Sequence, residues 1–269
     1  MLPYTPEISA SKVAGLIGLH AYQPPHEIMY DLLSKHLPTK YRIADLEARE
    51  RRISVNKVKD AVLRSPAIRD IVNAGVRACT GRTDIAEPLS SVEDQARIVL
   101  DLRHSELAPD VRAMLVGEVR GAVQRQRGTN NEAAILDTYE VANKVAVADR
   151  NTMTFRKDYG PFKVVGRTDG YVKEHNRIVD SKARTRWWTS VPVYDEIQLR
   201  VYMDLASASE SELIESFPDG RTRETRYAND PEKWSTIQKA IVAAVKKMND
   251  AIADEAVLRD LVFANTVSV

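Results

Sequence analysis

The sequence predicts a mixed α/β fold, with helices flanking a short block of strands, and three observations carry that prediction. Helical periodicity fills the first half, β-branched and aromatic residues cluster between Asn151 and Ala183, and helical periodicity returns after Pro192. With 269 residues and 43% hydrophobic content the chain buries a full core, at a size that suits one large domain or two small ones.

Taken in order, Ser9 and Ser11 are cap-type residues at the head of "SKVAGLIGLH", a short helix that Gln23-Pro24-Pro25 must end. A second helix follows Pro25, with Ile28, Met29, Leu32 and Leu33 at helical spacing. From about Ile43 to Val76 the pattern is helical and charge-dense, with "EARERR" at Glu47 to Arg52 and a break at Ser65-Pro66. Another helix spans about Val92 to Arg103, and "PDVRAMLVGEVRGAVQRQRG" opens on Pro109 and predicts a stop at Gly128. Thr129 to Asn131 then cap a further helix, with Glu132 in its first turn and Ile135, Leu136 and Tyr139 on its buried side.

Strands follow as "MTFRKD", "FKVVGRTDGYV" and "RIVDSKA", divided by the turn-prone "YGP" and "KEHN" into a meander or hairpin. After Pro192 a helix carries "YDEIQLRVYMDLAS". Ser209 to Asn229 reads as a polar stretch containing the arginine-rich loop "DGRTRETR". A last helix from about Pro231 has Trp234, Ile237, Ile241, Val245, Met248 and Ile252 as an apolar core stripe.

Composition narrows the function. Lys and Arg number 39 against 38 Asp and Glu, so the net charge of +1 gives no global attraction to nucleic acid and any such partner needs a local patch. One cysteine, Cys79, makes neither an internal disulfide nor a cysteine zinc site, and it reads as a small core residue. No targeting segment or membrane-spanning apolar run is visible, so the expectation is a soluble, intracellular protein. His20, His26 and His36 lack zinc-site spacing and read as ordinary helix residues.

One strand stands out. "RIVDSKARTR" places Asp180 and Lys182 on one face of a half-buried strand, where charge is costly. Centring the preceding turn between Glu174 and His175 sets Asp169 opposite Asp180, and a full-residue shift still leaves both acids on the face of Lys182. Facing acids need a counter-charge, from Lys182 or from a divalent cation held by Asp169, Asp180 and the Ser181 carbonyl. The bland alternative is a surface ion pair worth about 0–1 kcal/mol.

The wider context favours the first reading. "RGTNNEAAILDTYE", "VVGRTDGYV", "IVDSKAR" and "IQLRVYMDLA", with the N-terminal "ISASKVAGLIGLHAYQPPHEIMYDLLSKH", resemble the PD-(D/E)xK nuclease superfamily, in its lambda-exonuclease and YqaJ-like viral recombinase branch. The resemblance implies a restriction-endonuclease-like central mixed sheet flanked by helices: a mainly helical region 1–125 packing on a nuclease core 126–269, as one compact unit. It implies Asp169, Asp180 and Glu132 as acids that hold Mg2+ or Mn2+, and Lys182 as the group that orients the attacking water. Relatives more often carry Glu where this chain has Asp180. Gln198 and Tyr202 match the Q-x-x-x-Y motif, whose spacing of four puts both on one helical face to brace the site.

Around this centre, Arg184 and Arg186 are candidates to clamp phosphates, and Trp187 and Trp188 to stack on a base or wedge a duplex end, one turned in and one out. Arg127 extends that basic path, and Ser9, Ser11 and Lys12 are candidates for a phosphate at a helix start, capping being the plainer role of the serines. The expected activity is Mg-dependent exonuclease action on double-stranded DNA with a free end, in viral or phage recombination, repair or replication. The expected partners beyond DNA are another copy of the chain or a recombination protein, with no membrane. The rivals are an endonuclease of the same fold and a catalytically silent DNA-binding relative.

Overall fold

The structure, a computed structural model, describes residues 3–82 and 84–268. It opens with a strand, β1 (Glu7–Ser9), that leads through a single 3-10 turn, Ala10–Lys12, into α1 (Val13–Leu16). Here the capping expectation fails: Ser9 makes no side-chain cap bond and Lys12 holds the N-cap of α1. Ser9 is instead paired in parallel with Val165, so strand pairing fixes its backbone.

The helices follow their signals closely. Prolines open α2 (Pro25–Leu33), and Pro38 sits in the first turn of α3 (Leu37–Arg49). A short β2 (Arg52–Ser54) precedes α4 (Val55–Arg64), and Ser65-Pro66 divides it from α5 (Pro66–Cys79) as the sequence predicts. Then come α6 (Ala86–Arg103) and α7 (Pro109–Asn143). The predicted stop at Gly128 is overturned: α7 runs 35 residues without a break and ends at Lys144, whose φ of 54° is left-handed.

The reason is burial at both ends of α7. Leu115, Val119 and Val123 pack with α4 to α6 in one apolar cluster, while Ile135, Leu136 and Tyr139 pack in another against the central sheet. Two buried stretches on one axis outweigh the roughly 1 kcal/mol that a helical glycine costs relative to alanine. A division at residue 125 therefore cuts a continuous helix.

The strand block is β3 (Thr154–Asp158), β4 (Lys163–Arg167), β5 (Gly170–Val172) and β6 (Arg177–Ala183), followed by α8 (Val193–Ala206). The stretch read as polar connection is a hairpin, β7 (Glu210–Ser216) and β8 (Thr222–Ala228). Charge hid it. Glu212 and Glu215 of β7 are buried, and each is neutralised by two arginines: Arg177 and Arg226 for Glu212, Arg184 and Arg223 for Glu215. A strand of alternating apolar residues is easy to see, whereas one whose inward carboxylates are satisfied from neighbouring strands is not.

α9 (Pro231–Ala253), α10 (Glu255–Ala264) and β9 (Thr266–Ser268) complete the chain. Trp234, Ile237, Ile241, Val245 and Met248 are buried against α1, α2 and α8, as the stripe predicts. Among the described residues no helix is long and apolar enough to cross a membrane.

The architecture is mixed α/β. The central sheet has order β5-β6-β7-β8, with β6 and β7 parallel and the outer pairings antiparallel. The parallel step needs a crossover, and α8 supplies it. A second sheet, β1-β4-β3, feeds into the first because β4 continues to β5 through Thr168 and Asp169, so Asp169 sits at the joint between the sheets.

Two glycines test this packing in opposite directions. A Cβ on Gly170 would lie 2.2 Å from Val147 Cγ1 and 3.1 Å from Val179 Cγ2, whereas one on Gly128 would meet nothing within 4 Å. Gly170→Ala is therefore expected to destabilise the protein by about 1–3 kcal/mol. Gly128→Ala is expected to stabilise it by about 0.5–1 kcal/mol, both read from urea unfolding midpoints at unchanged slope.

Candidate active site

The site is built by the turn between β5 and β6. Lys173 to His175 form a 3-10 turn, and Asn176 closes it in the left-handed region at φ 47°, which a short amide side chain tolerates. The resulting register pairs Gly170 with Val179, which brings Asp169 level with Asp180. Both acids are buried, at 8% and 2% exposure. Lys182 Nζ lies 2.7 Å from Asp180 Oδ2, and its side chain is 29% exposed.

Asp169 is held from the strand itself. Its Oδ2 accepts from Ser181 N at 2.7 Å and from Ser181 Oγ at 3.1 Å. A strand residue points its N–H and C=O to the same side, so the Ser181 carbonyl faces the Asp169 edge too. Burial, and next the charge of Asp180, push the Asp169 carboxyl up to about 7, against the pull of Lys182 and the Ser181 N–H. Burial opposes the charge on Lys182, yet Asp180 and Asp169 outweigh it and hold the ammonium above the usual lysine range.

Glu132 stands in the middle of α7 rather than in a first turn. Asn151 joins it to the pair: Asn151 Nδ2 donates to Glu132 Oε2 at 3.1 Å, and Asn151 N donates to the Asp169 carbonyl at 3.1 Å. Glu132 adds to the negative field on Asp169. Among the described residues no three His, Cys, Asp or Glu side chains converge on one ion position, so the acids at hand are a pair with a third in reserve. The donor set still suits a hard divalent cation, because its groups are carboxyl oxygens and a carbonyl, and a bound cation would take the place of the proton that Asp169 keeps to about pH 7.

α8 covers the pair. Gln198 Nε2 donates to Tyr202 Oη at 2.9 Å, and Tyr202 is 5% exposed with its hydroxyl pushed up to about 12 by burial and Asp180. Gly166 makes the room: a Cβ there would lie 2.6 Å from Tyr202 Cε1. One residue escaped the sequence reading. Asp195, in the first turn of α8, is buried, with its carboxyl pushed up by burial, and its charge adds to the field that raises Lys182. An acid three residues before Gln198, on the same helix face, was the available signal.

The proposed contact residues divide. Arg184 is enclosed, not free to clamp a phosphate: it lies 2.7 Å from both Asp195 and Glu215, with a side chain 10% exposed. Arg186 is exposed and stands 5.4 Å over the Trp188 ring. Trp187 is 40% exposed, packed at 4.4 Å on Phe217 with Arg221 3.9 Å over its face. Trp188 is half-buried and its carbonyl accepts from Arg223 Nη1 at 2.8 Å. Ser9 and Ser11 line a shallow groove of about 370 Å3 with Gly166, Arg167 and Tyr202, which leaves them beside the site. Lys12 is paired with Asp31, and Arg127 lies half-buried in a cleft beside the end of α5, one turn beyond Val123 of the helical cluster. His20, expected in a helix, falls in the loop after α1, stacked at 4.3 Å on Tyr194.

The acid pair makes stability depend on pH. Asp169 titrates near 3.8 when unfolded and near 7 when folded, so between those values the folded state holds the extra proton. Without a divalent cation, stability is therefore expected to fall as pH rises from about 4 to 7, by up to about 4 kcal/mol, and Asp169→Asn to flatten that slope. Chemical unfolding across this range in chelator reads both; equal slopes for wild type and variant would contradict it.

No protein-family model matches the sequence, and no curated protein sequence matches it. Solved structures similar to it include a phage-related exonuclease from Haemophilus somnus 129PT, 16% identical over 94% of this chain and 97% of that one, with a TM-score of 0.45. An alkaline exonuclease from Laribacter hongkongensis is 14% identical over 59% of this chain and 88% of that one, with a TM-score of 0.42. A structure of that exonuclease in complex with dAMP gives 16% identity, the same coverage and a TM-score of 0.42.

Proposed function

We propose that this chain is a metal-dependent deoxyribonuclease that digests double-stranded DNA from a free end. The observation that carries the reading is the buried pair Asp169 and Asp180, level with each other across β5 and β6, with Lys182 2.7 Å from Asp180. A purely structural pair of this kind would be a poor device. It buries a carboxyl that must keep its proton to about pH 7, a cost that a divalent cation in the proton's place turns to use.

Asp169, Asp180 and the Ser181 carbonyl would hold magnesium, with Glu132 reached through Asn151. When bound, the ion supplies positive charge to the non-bridging phosphate oxygens and lowers the pKa of a coordinated water. The chain's own groups do the rest. Lys182 Nζ, partly open to solvent, holds a water for in-line attack and faces the charge that grows on the phosphate. Gln198 and Tyr202 present a preorganised polar edge to the substrate backbone, and Arg186, Trp187 and Arg221 offer an exposed cationic and aromatic surface on the segments after β6 and β7. Action in viral or phage recombination, repair or replication rests on the motif resemblance alone.

Linear and covalently closed circular duplexes, incubated with magnesium, are the test. Digestion of the linear form only, with kcat reduced by about 10²–10⁴-fold in Lys182→Ala, is the expected result. Cutting of the circle would replace the exonuclease by an endonuclease, and binding of either form without hydrolysis would leave a silent DNA-binding protein. Gln198→Ala should cost less, roughly tenfold, since it removes a bracing hydrogen bond and no reacting group.

A further inference from the structure

A cleft of about 380 Å3 runs along the second half of α7, between that helix, the loop after α5 and the β7–β8 hairpin. Its volume falls in the range of small-ligand sites, roughly 300–1,000 Å3. Arg127, Asn131, Ala134 and Thr138 line it from successive turns of one helix face, and Arg82 reaches in from the loop. Ala183, Ile214 and Phe217 make its apolar floor. Trp187, tilted 48° against Phe217, and Arg221 above it stand at the margin of that floor.

The two arginines are loosely held. Neighbouring Arg125 pairs with Glu118 at 3.5 Å, whereas Arg127 has no acid within ion-pair distance among the described residues. The nearest acid to Arg82 is the exposed Glu87, 4.0 Å away. Both act on one spot, since burial raises the Cys79 thiol while Arg127 and Arg82 both pull it down. At the other end Glu224, bonded by Asn143 Nδ2 at 3.0 Å, turns away anions. The cleft therefore has a cationic end, an anionic end and an apolar floor between them.

The cleft lies behind the acids, across the central sheet and along α7 from them. Ala183 follows Lys182 and, by strand alternation, lies on the opposite face of the sheet, and Asn131 directly precedes Glu132. We propose that this cleft binds one nucleoside monophosphate unit, with the phosphate on Arg82 and Arg127 and the base over Ile214 and Phe217. The unit is either the mononucleotide released at the acids or a nucleotide of a single strand running past them. A nucleotide cleft here rests on the nuclease reading of the acid pair.

The full-length protein in chelator, titrated calorimetrically with dTMP, a short oligo-dT and inorganic phosphate, separates these sources. Expected is binding of dTMP, the oligonucleotide or both, weakened roughly tenfold or more in Arg127→Ala and in Arg82→Ala, and unchanged in Arg64→Ala, an exposed arginine of α4. dTMP binding identifies the released product; oligonucleotide binding alone identifies the strand. Phosphate binding as tightly as dTMP overturns the base platform, and absent binding or binding indifferent to both arginines overturns the site. An inactive protein that binds dTMP in this way keeps the cleft and loses the catalytic reading, while an active one that binds nothing does the reverse.

Discussion

Two carboxylates set level on neighbouring strands and closed off from water are the constraint on which the site depends. Facing like charges on a sheet oppose its formation, and burial makes the opposition stronger. Asp169 answers by accepting two hydrogen bonds from Ser181 and retaining its proton to near neutral pH, and Asp180 by pairing with Lys182. What remains is a buried acid pair whose second charge appears only when Asp169 gives up its proton, to solvent at higher pH or to a bound cation. That is the electrostatic form of a cation site, and the neighbouring elements serve to hold it still.

The bracing is ionic as much as apolar. Arg184 joins Asp195 of α8 to Glu215 of β7, and Arg223 of β8 closes on the same glutamate, so a buried chain of charges ties the crossover helix to the central sheet just beyond Lys182. Removing one member would strand another in low dielectric at a cost of about 3–5 kcal/mol. Such networks favour one register over its neighbours, because a slip by one residue would turn Glu212 and Glu215 away from their arginines. Gly166 and Gly170 do the corresponding work by shape, letting Tyr202 and Val147 approach strands that any side chain would hold off.

Much of this was legible in the residues. The four-residue turn "KEHN" fixed the register that places Asp169 beside Asp180, because strand alternation allows few alternatives. Prolines marked the starts of α2, α5, α7, α8 and α9, while the caps read at Ser9, Ser11 and Thr129 to Asn131 did not form. The failures share a cause: local signals gave way to tertiary ones. Gly128 reads as a stop, yet burial on either side of it carries α7 through. "ESELIES" reads as polar, yet arginines from β6, β8 and the segment after β6 neutralise it. For the same reason Arg184 looked available to a phosphate, since its position after the lysine shows its charge but not the two acids that enclose it.

The most direct measurement is magnesium binding to the intact protein by calorimetry, without DNA. One saturable site, abolished by Asp180→Asn or Asp169→Asn and weakened but retained in Glu132→Gln, is the predicted result. Magnesium binding that ignores both aspartates, or its absence in the wild type, would show that the buried acids serve only the fold.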